Sequence, residues 1–475
     1  MIPMTVGELA KVLGCAIEAG NADGEIKRVV LDSRAVRRGD AFMAIVGPRD
    51  DGHRYLPQAL ASGAAAVVIS RRDVMDRLAN PHDAGIIHVA DTTAALQRLA
   101  GHVRDAVAPT VIAITGSVGK TTTKALTDAL LKATRSTHAT PGNFNNQWGL
   151  PLSLLGLRPS HRWMVAELGM SSAGEIAELT RLARPSIGVI TNVAPVHMEN
   201  FDNLAGVAAA KQELADELPP DGTLIVNADD TYTAAMGATR KQRGEPTICY
   251  GMRRDADVSA CQVEVAAAAW HFELRCGASD TARVQLTLPG EHSISNFLAA
   301  AAVAHVLGIR AATIADRARD LTLPAMRGQV HRTDGGGVVI DDSYNASPAA
   351  MITALETLAA TAGTGRKILV VGDMLELGSW AEDAHREVGL HAVHLGVDRI
   401  ITVGPLARDI GHGARAGGMA AEAITAFSVS DEAAEVIGEI VCPGDTVLVK
   451  GSRGIRMERI VHTLLRPGDD NGGRR

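Results

Sequence analysis

Short apolar runs alternate with longer amphipathic stretches along most of the chain. "PTVIAI", "WMVAE", "SIGVI" and "TLIVN" are each short enough to be a buried strand. Between them lie segments with apolar residues three or four apart, such as "LAGVAAAKQELADEL" at 204–218. This alternation predicts an α/β fold, a largely parallel sheet with helices on both faces. Strands are expected at 110–115, 162–169, 186–193 and 223–230, and helices at 204–218 and 294–308. The stretch 255–289 changes character and predicts antiparallel strands.

The flanking blocks read differently. Residues 1–107 form a small α/β unit, with a helix at "VGELAKVLG" and two strand-like runs around a turn in "IKRVVLDSRAVRRGDAFMAIVG". "YLPQALASGAAAVVIS" follows as helix, Gly turn and strand, and a helix at 91–105 closes the unit. Residues 326–475 form a second α/β unit with strands in "GGVVIDDSY", "RKILVVGDM", "RIITVGP" and "DTVLVKGS". Its end, "RPGDDNGGRR", is polar and Gly-rich and is expected to fray. Three units, 1–107, 108–325 and 326–475, suit a chain of 475 residues.

Composition narrows the class. With 46% apolar and 21% charged residues the chain builds cores and is no disordered scaffold. A net charge of -7 argues against a general binder of nucleic acid or anionic membrane, yet permits a local basic pocket. The five cysteines form no CxxC pair, so free thiols in the cytoplasm are expected. The N-terminus has no signal-peptide pattern, and no apolar run is long enough to span a membrane.

The candidate chemistry begins at "TGSVGKTTTK", 115–124. A glycine-rich turn between strand and helix points backbone N–H groups at one place, and the helix end adds positive potential. Gly116, Ser117, Val118, Gly119, Lys120, Thr121 and Thr122 make this loop. Lys120 reaches outer phosphates and the Thr121 hydroxyl suits Mg²⁺. Position 114 is Ile where the full phosphate-loop pattern has Gly. The plainer reading is an ordinary Gly turn with a solvated lysine. The loop predicts a triphosphate site and leaves motor, kinase and ligase open.

Glu167 ends "WMVAE", where a carboxylate suits Mg²⁺ or caps the next segment. His197 in "TNVAPVHMEN" is a second metal ligand or a loop histidine. Lys211 in "VAAAKQEL" reads by default as a solvated helix lysine. Asn227, Asp229 and Asp230 end another strand, facing the nucleotide or capping a helix.

Taken together the chain resembles the Mur ligases. The resemblance spans nearly all of it, through "TGSVGKTT", "PGNFNNQWGLPLSLL", "AELGMSSAGEI", "TNVAPVHMENF", "GEHSISNFLAAAAVA", "DDSYNASP", "VVGDMLELG" and "VKGSRG" in order. It implies three domains: an N-terminal one for a UDP-sugar, a central one for ATP, and a C-terminal dinucleotide-fold one for the incoming amine. "DDSYNASP" and "GDMLELG" point to the member joining D-alanyl-D-alanine to UDP-N-acetylmuramoyl-tripeptide through an acyl phosphate.

The residues carried over are implied by that resemblance alone. Lys120 contacts phosphates; Thr121, Glu167 and His197 serve two Mg²⁺ ions, with Lys211 as a carbamylated lysine. His292 and Asn296 meet adenine, although the family's His-Asn pair reads His292-Ser293 here. Arg327 reaches the ATP phosphates. Asp342, Tyr344 and Asn345 line the C-terminal side of the cleft, near the ribose and dipeptide. Ser33 and Arg34 meet the uridine nucleotide, and Asn143, Asn145 and Asn146 the pyrophosphate and sugar. Lys450, Ser452 and Arg453 help the closed site. A monomer is implied. A single-amino-acid ligase, a folylpolyglutamate synthase-like enzyme and a non-catalytic nucleotide-binding module remain the alternatives.

Overall fold

The computed structural model describes residues 1–79, 83–252, 256–266 and 269–466, so most of the tail expected to fray lies outside the described residues. Among these residues the strands form sheets of five, nine and six strands, and a separate pair, Met4–Thr5 with Glu25–Ile26.

The five-stranded sheet runs Ile17–Ala19, Gly85–His88, Ala66–Ile69, Asp40–Met43, Arg28–Val30. Its first strand is antiparallel and the rest are parallel. The helix Thr92–Val107 buries Leu96, Leu99 and Val103 on one face, as its spacing of three and four dictates. These side chains share one apolar cluster with Leu154, Leu179 and Leu214 of the next unit. A common core therefore fixes the first unit on the second.

The nine-stranded sheet begins with an antiparallel edge, Asp280–Leu286, Ala269–Cys276 and Val258–Ala266, as the change of character near 255 predicts. It continues in parallel through Thr247–Gly251, Thr223–Asn227, Ile187–Ile190, Thr110–Thr115, Trp163–Glu167 and Thr137–Ala139. Thr110–Thr115 lies where the strand order reverses, between Trp163–Glu167 and Ile187–Ile190. Such a switch point opens a crevice at the strands' C-terminal ends. The helix His292–Val306 is buried almost all round through its alanines and packs on Lys120–Lys132. Small side chains permit that close approach, and the phosphate loop is backed by a dry core.

The six-stranded sheet runs Gln329–Arg332, Val338–Asp342, Thr446–Lys450, Lys367–Gly372, Arg399–Val403, Ile424–Phe427. Only its first pair is antiparallel. Apolar clusters cover both faces, as parallel sheets require. No described helix is long and apolar enough to cross a membrane.

Candidate active site

Two glycines shape the loop after Thr115. Gly116 has φ 144° and Gly119 φ 86°, a region that side chains disfavour. A Cβ on Gly116 would lie 1.9 Å from Thr191 Oγ1, and one on Gly119 2.4 Å from Asn296 Oδ1. The loop is thus pressed against the neighbouring strand and the alanine-rich helix. Two of its amides are already committed. Ser117 N donates to Asn192 O at 3.0 Å and Val118 N to Asn192 Oδ1 at 2.9 Å. The free donors narrow to the first turn of the helix Lys120–Lys132, whose amides have no partner within the helix.

Lys120 folds back on its loop, donating to Gly116 O at 2.7 Å and Ser117 O at 3.2 Å. Burial lowers the pKa of its ammonium; Glu167 opposes the shift and Arg327 adds to it. Thr121 Oγ1 donates to Glu167 Oε1 at 3.2 Å and accepts from Arg327 Nη2 at 3.2 Å. Glu167 is 1% exposed. Its Oε1 also accepts from Asn145 Nδ2 at 2.9 Å. Its Oε2 accepts no hydrogen bond and has Lys124 Nζ 3.1 Å away. These partners rule out a helix cap as its role.

The cleft over this group has a volume of about 510 Å³ and is walled from both the central and the C-terminal unit. The loop residues Ser117 to Thr122, Asn143, Asn145, Asn146, Glu167 and His197 face it from one side. Arg327, Tyr344, Asn345, Lys450, Ser452 and Arg453 face it from the other. The Arg327 guanidinium lies 4.0 Å over the Tyr344 ring and that of Arg453 5.6 Å from it, a cation–π arrangement.

Several of these side chains are occupied internally. Asn146 Oδ1 accepts from Trp148 N and Gly149 N. Lys450 Nζ donates to Asp342 Oδ2 and Asn345 O, so Asp342 and Lys450 neutralise each other. Ser452 Oγ accepts from Leu375 N at 3.0 Å.

Other expected residues stand elsewhere. Ser33 and Arg34 do not line the cleft: the Ser33 hydroxyl donates to Gln58 Oε1 at 2.8 Å, and Arg34 pairs with Asp32 on the surface. His292 lines a second cavity of about 650 Å³, with Asp229, Trp270, Ser295 and Thr357. Asn296 sits behind the loop and accepts from Thr123 Oγ1 at 3.2 Å. Ser293, at the second place of the expected His-Asn pair, is turned inward and donates to Pro289 O. Asp230 caps the next helix through Thr233 N, whereas Asn227 donates to Thr191 O.

Lys211 corrects its default reading. It is 1% exposed, and its side chain has no hydrogen bond or ion pair among the described residues. Burial, reinforced by Lys120, drives its pKa well below the usual lysine value. The signal was in the spacing: Lys211 belongs to the buried stripe of Val207, Ala208, Leu214 and Ala215. Lys124 was missed in the same way, although it shares a face with Thr127 and Leu131.

Known proteins resemble this chain over almost its whole length. A protein of Escherichia coli (strain K12) named UDP-N-acetylmuramoyl-tripeptide--D-alanyl-D-alanine ligase is 35% identical over 98% of this chain and 100% of its own. The chain belongs to the Mur ligase family. Three Mur ligase descriptions match in turn: the "Mur ligase family, catalytic domain" over 25–104, the "Mur ligase middle domain" over 114–304 and the "Mur ligase, glutamate ligase domain" over 326–453. The crystal structure of MurF from Acinetobacter baumannii superposes with a TM-score of 0.85 at 31% identity, covering 98% of this chain and 99% of that one. MurF ligase from Thermotoga maritima, crystallised with ADP, gives 0.77 at 30% identity, covering 92% and 96%. The three-domain architecture of these Mur ligases is that of this chain.

Proposed function

We propose that this Mur ligase joins D-alanyl-D-alanine to UDP-N-acetylmuramoyl-tripeptide at the expense of ATP, giving the UDP-linked pentapeptide, ADP and phosphate. The observation that carries this reading is one cleft in which Lys120, Thr121, Glu167 and His197 face Arg327, Tyr344 and Arg453. The full-length likeness to the E. coli ligase supports the choice of substrates. Residues 1–107 would hold the UDP-sugar end through Ser33 and Arg34, 108–325 the ATP, and 326–475 the dipeptide. The enzyme would act as a cytoplasmic monomer.

The reaction brings the tripeptide carboxylate to a triphosphate, anion to anion. Lys120, Arg327 and the amides of the first helical turn offset that repulsion. The carboxylate attacks the γ-phosphorus, ADP leaves and an acyl phosphate forms. The neutral amine of the dipeptide then attacks the acyl carbon, and as the tetrahedral intermediate collapses phosphate departs with the proton that the nitrogen gives up. The cleft walls keep water from the acyl phosphate.

The residues present fit Mg²⁺. Thr121 Oγ1, Glu167 Oε2, which accepts no hydrogen bond and has the Lys124 ammonium beside it, and His197 supply oxygen and nitrogen ligands beside the phosphate loop. No three His, Cys, Asp or Glu side chains form a ready-made cage among the described residues. That suits an ion that keeps waters and takes phosphate oxygens. Bound there, Mg²⁺ would neutralise charge on the transferring phosphoryl group. Lys211, buried, unpartnered and with a lowered pKa, presents the neutral amine that reacts with CO₂. The N–C bond forms, one proton is lost, and a carbamate anion takes the place of the neutral amine near Lys120.

The test is phosphate release from ATP and Mg²⁺ with UDP-N-acetylmuramoyl-tripeptide, with and without D-alanyl-D-alanine, with products weighed. Release that requires the dipeptide, with a pentapeptide product, bears the reading out. Turnover with a single amino acid or glutamate instead moves the enzyme to a sister ligase. No turnover with any acceptor leaves a binding module.

A further inference from the structure

His197 and Glu376 meet across the boundary between the central and C-terminal units. The imidazole Nδ1 lies 2.6 Å from Glu376 Oε2, and both side chains face the cleft. Neither residue is placed casually. His197 has φ 54° and Glu376 φ 65°, a left-handed backbone that non-glycine residues adopt at a cost. The main chains meet as well: Glu199 N donates to Glu376 O at 3.4 Å.

The loop that carries Glu376 is anchored on its own unit before it reaches across. Asp373 Oδ1 accepts from Ala407 N at 2.7 Å. Met374 N donates to His385 Nε2 at 2.9 Å, and Leu375 N to Ser452 Oγ at 3.0 Å. Consecutive backbone anchors leave Glu376 as the tip, and the tip ends on a histidine of the other unit. The contact takes the Nδ1 side of the ring, at ion-pair distance and without the alignment of a hydrogen bond. His197 Nε2 has no hydrogen bond among the described residues. A histidine that binds metal through one nitrogen characteristically gives the other to a carboxylate, which fixes the ring and its tautomer.

We propose that Glu376 is a positioning residue that holds His197 in its metal-binding orientation, so that docking of the C-terminal unit completes one of the two cation sites. This rests on the metal role proposed for His197. It makes the order of events physical. Without the C-terminal unit in place the ring has no carboxylate behind it, and the cation site beside the phosphates is incomplete. Phosphoryl transfer is thereby confined to the closed enzyme, where the acyl phosphate is sheltered from water.

The experiment counts bound Mn²⁺ by electron paramagnetic resonance, using the full chain and a non-hydrolysable ATP analogue, without turnover. Wild type, Glu376→Gln, Glu376→Asp and His197→Ala are compared. In Glu376→Gln one ion is expected to bind roughly 10- to 100-fold more weakly, while the other keeps its affinity. Glu376→Asp, which keeps the charge, is expected to lose less. Wild-type affinity for both ions in Glu376→Gln, or equal weakening of both, overturns the proposal. If His197→Ala binds both ions as wild type does, the metal role of His197 itself fails, and the proposal falls with it. A selective loss in His197→Ala with none in Glu376→Gln overturns the role of Glu376 alone.

Discussion

Lys124 Nζ lies 3.1 Å from Glu167 Oε2, and the two side chains are 6% and 2% exposed. The same ammonium donates to Gly142 O, tying the strand-end carboxylate to the asparagine-rich loop. Removing one member of a buried pair leaves the other charge unpaired. Lys124→Met is therefore expected to destabilise the unliganded enzyme by about 3–5 kcal/mol, read as a lowered Tm. Because Mg²⁺ would supply the missing positive charge, Mg²⁺ and an ATP analogue should restore more Tm in the variant than in wild type. An unchanged Tm in the unliganded variant would refute this account of the pair.

Gly119 offers a sharper probe of the loop. Its φ is 86° and a Cβ there would meet Asn296 Oδ1 at 2.4 Å. Gly119→Ala forces either a left-handed alanine, costing about 1–2 kcal/mol, or a displaced loop. ATP-analogue affinity measured by calorimetry should fall roughly tenfold or more. Gly174 also has positive φ, 88°, but open space where a Cβ would go. Gly174→Ala should leave nucleotide affinity unchanged.

Arg327 bridges the units with both its charge and its plane. It donates to Thr121 Oγ1 and lies 4.0 Å over Tyr344. Arg327→Lys keeps the charge and loses the planar stack. An exposed-to-desolvated cation–π contact is worth about 0.5–2 kcal/mol, so the KM for ATP should rise by roughly tenfold. Tyr344→Phe keeps the ring and should leave that KM near wild type. If both variants match wild type, the stack carries no binding energy.

The strands and helices that build the crevice were legible because local pattern decides them. "PTVIAI" and "WMVAE" have no polar face to expose, and Gly116 and Gly119 mark where the backbone must turn. Lys124 and Lys211 were half legible. Each lies in a buried helical stripe, yet a long amphipathic side chain on such a stripe often reaches solvent. Only the packed structure decides otherwise. Glu376 was not legible as a site residue. Its partner, His197, lies in another unit, and no local periodicity reports a contact between units. Ser117 and Val118 show the same limit, since their amides are taken by Asn192 from a different strand end.

Lys211 gives a prediction with a definite sign. Burial lowers its pKa in the folded enzyme, while the unfolded chain keeps the ordinary lysine value of about 10.4. Between the two values the unfolded state binds more protons than the folded state. Stability must therefore rise with pH across that window. In CO₂-free buffer the wild-type Tm should climb as pH is raised toward 10, relative to Lys211→Met. The limiting difference in slope is about 1.4 kcal/mol per pH unit, one proton's worth. If Lys211 takes up CO₂ as proposed, CO₂ supplied from bicarbonate should raise the Tm of wild type alone. Parallel wild-type and Lys211→Met curves in CO₂-free buffer would mean that Lys211 stays protonated when folded. The neutral amine needed for carbamylation would then be missing, and the carbamate with it.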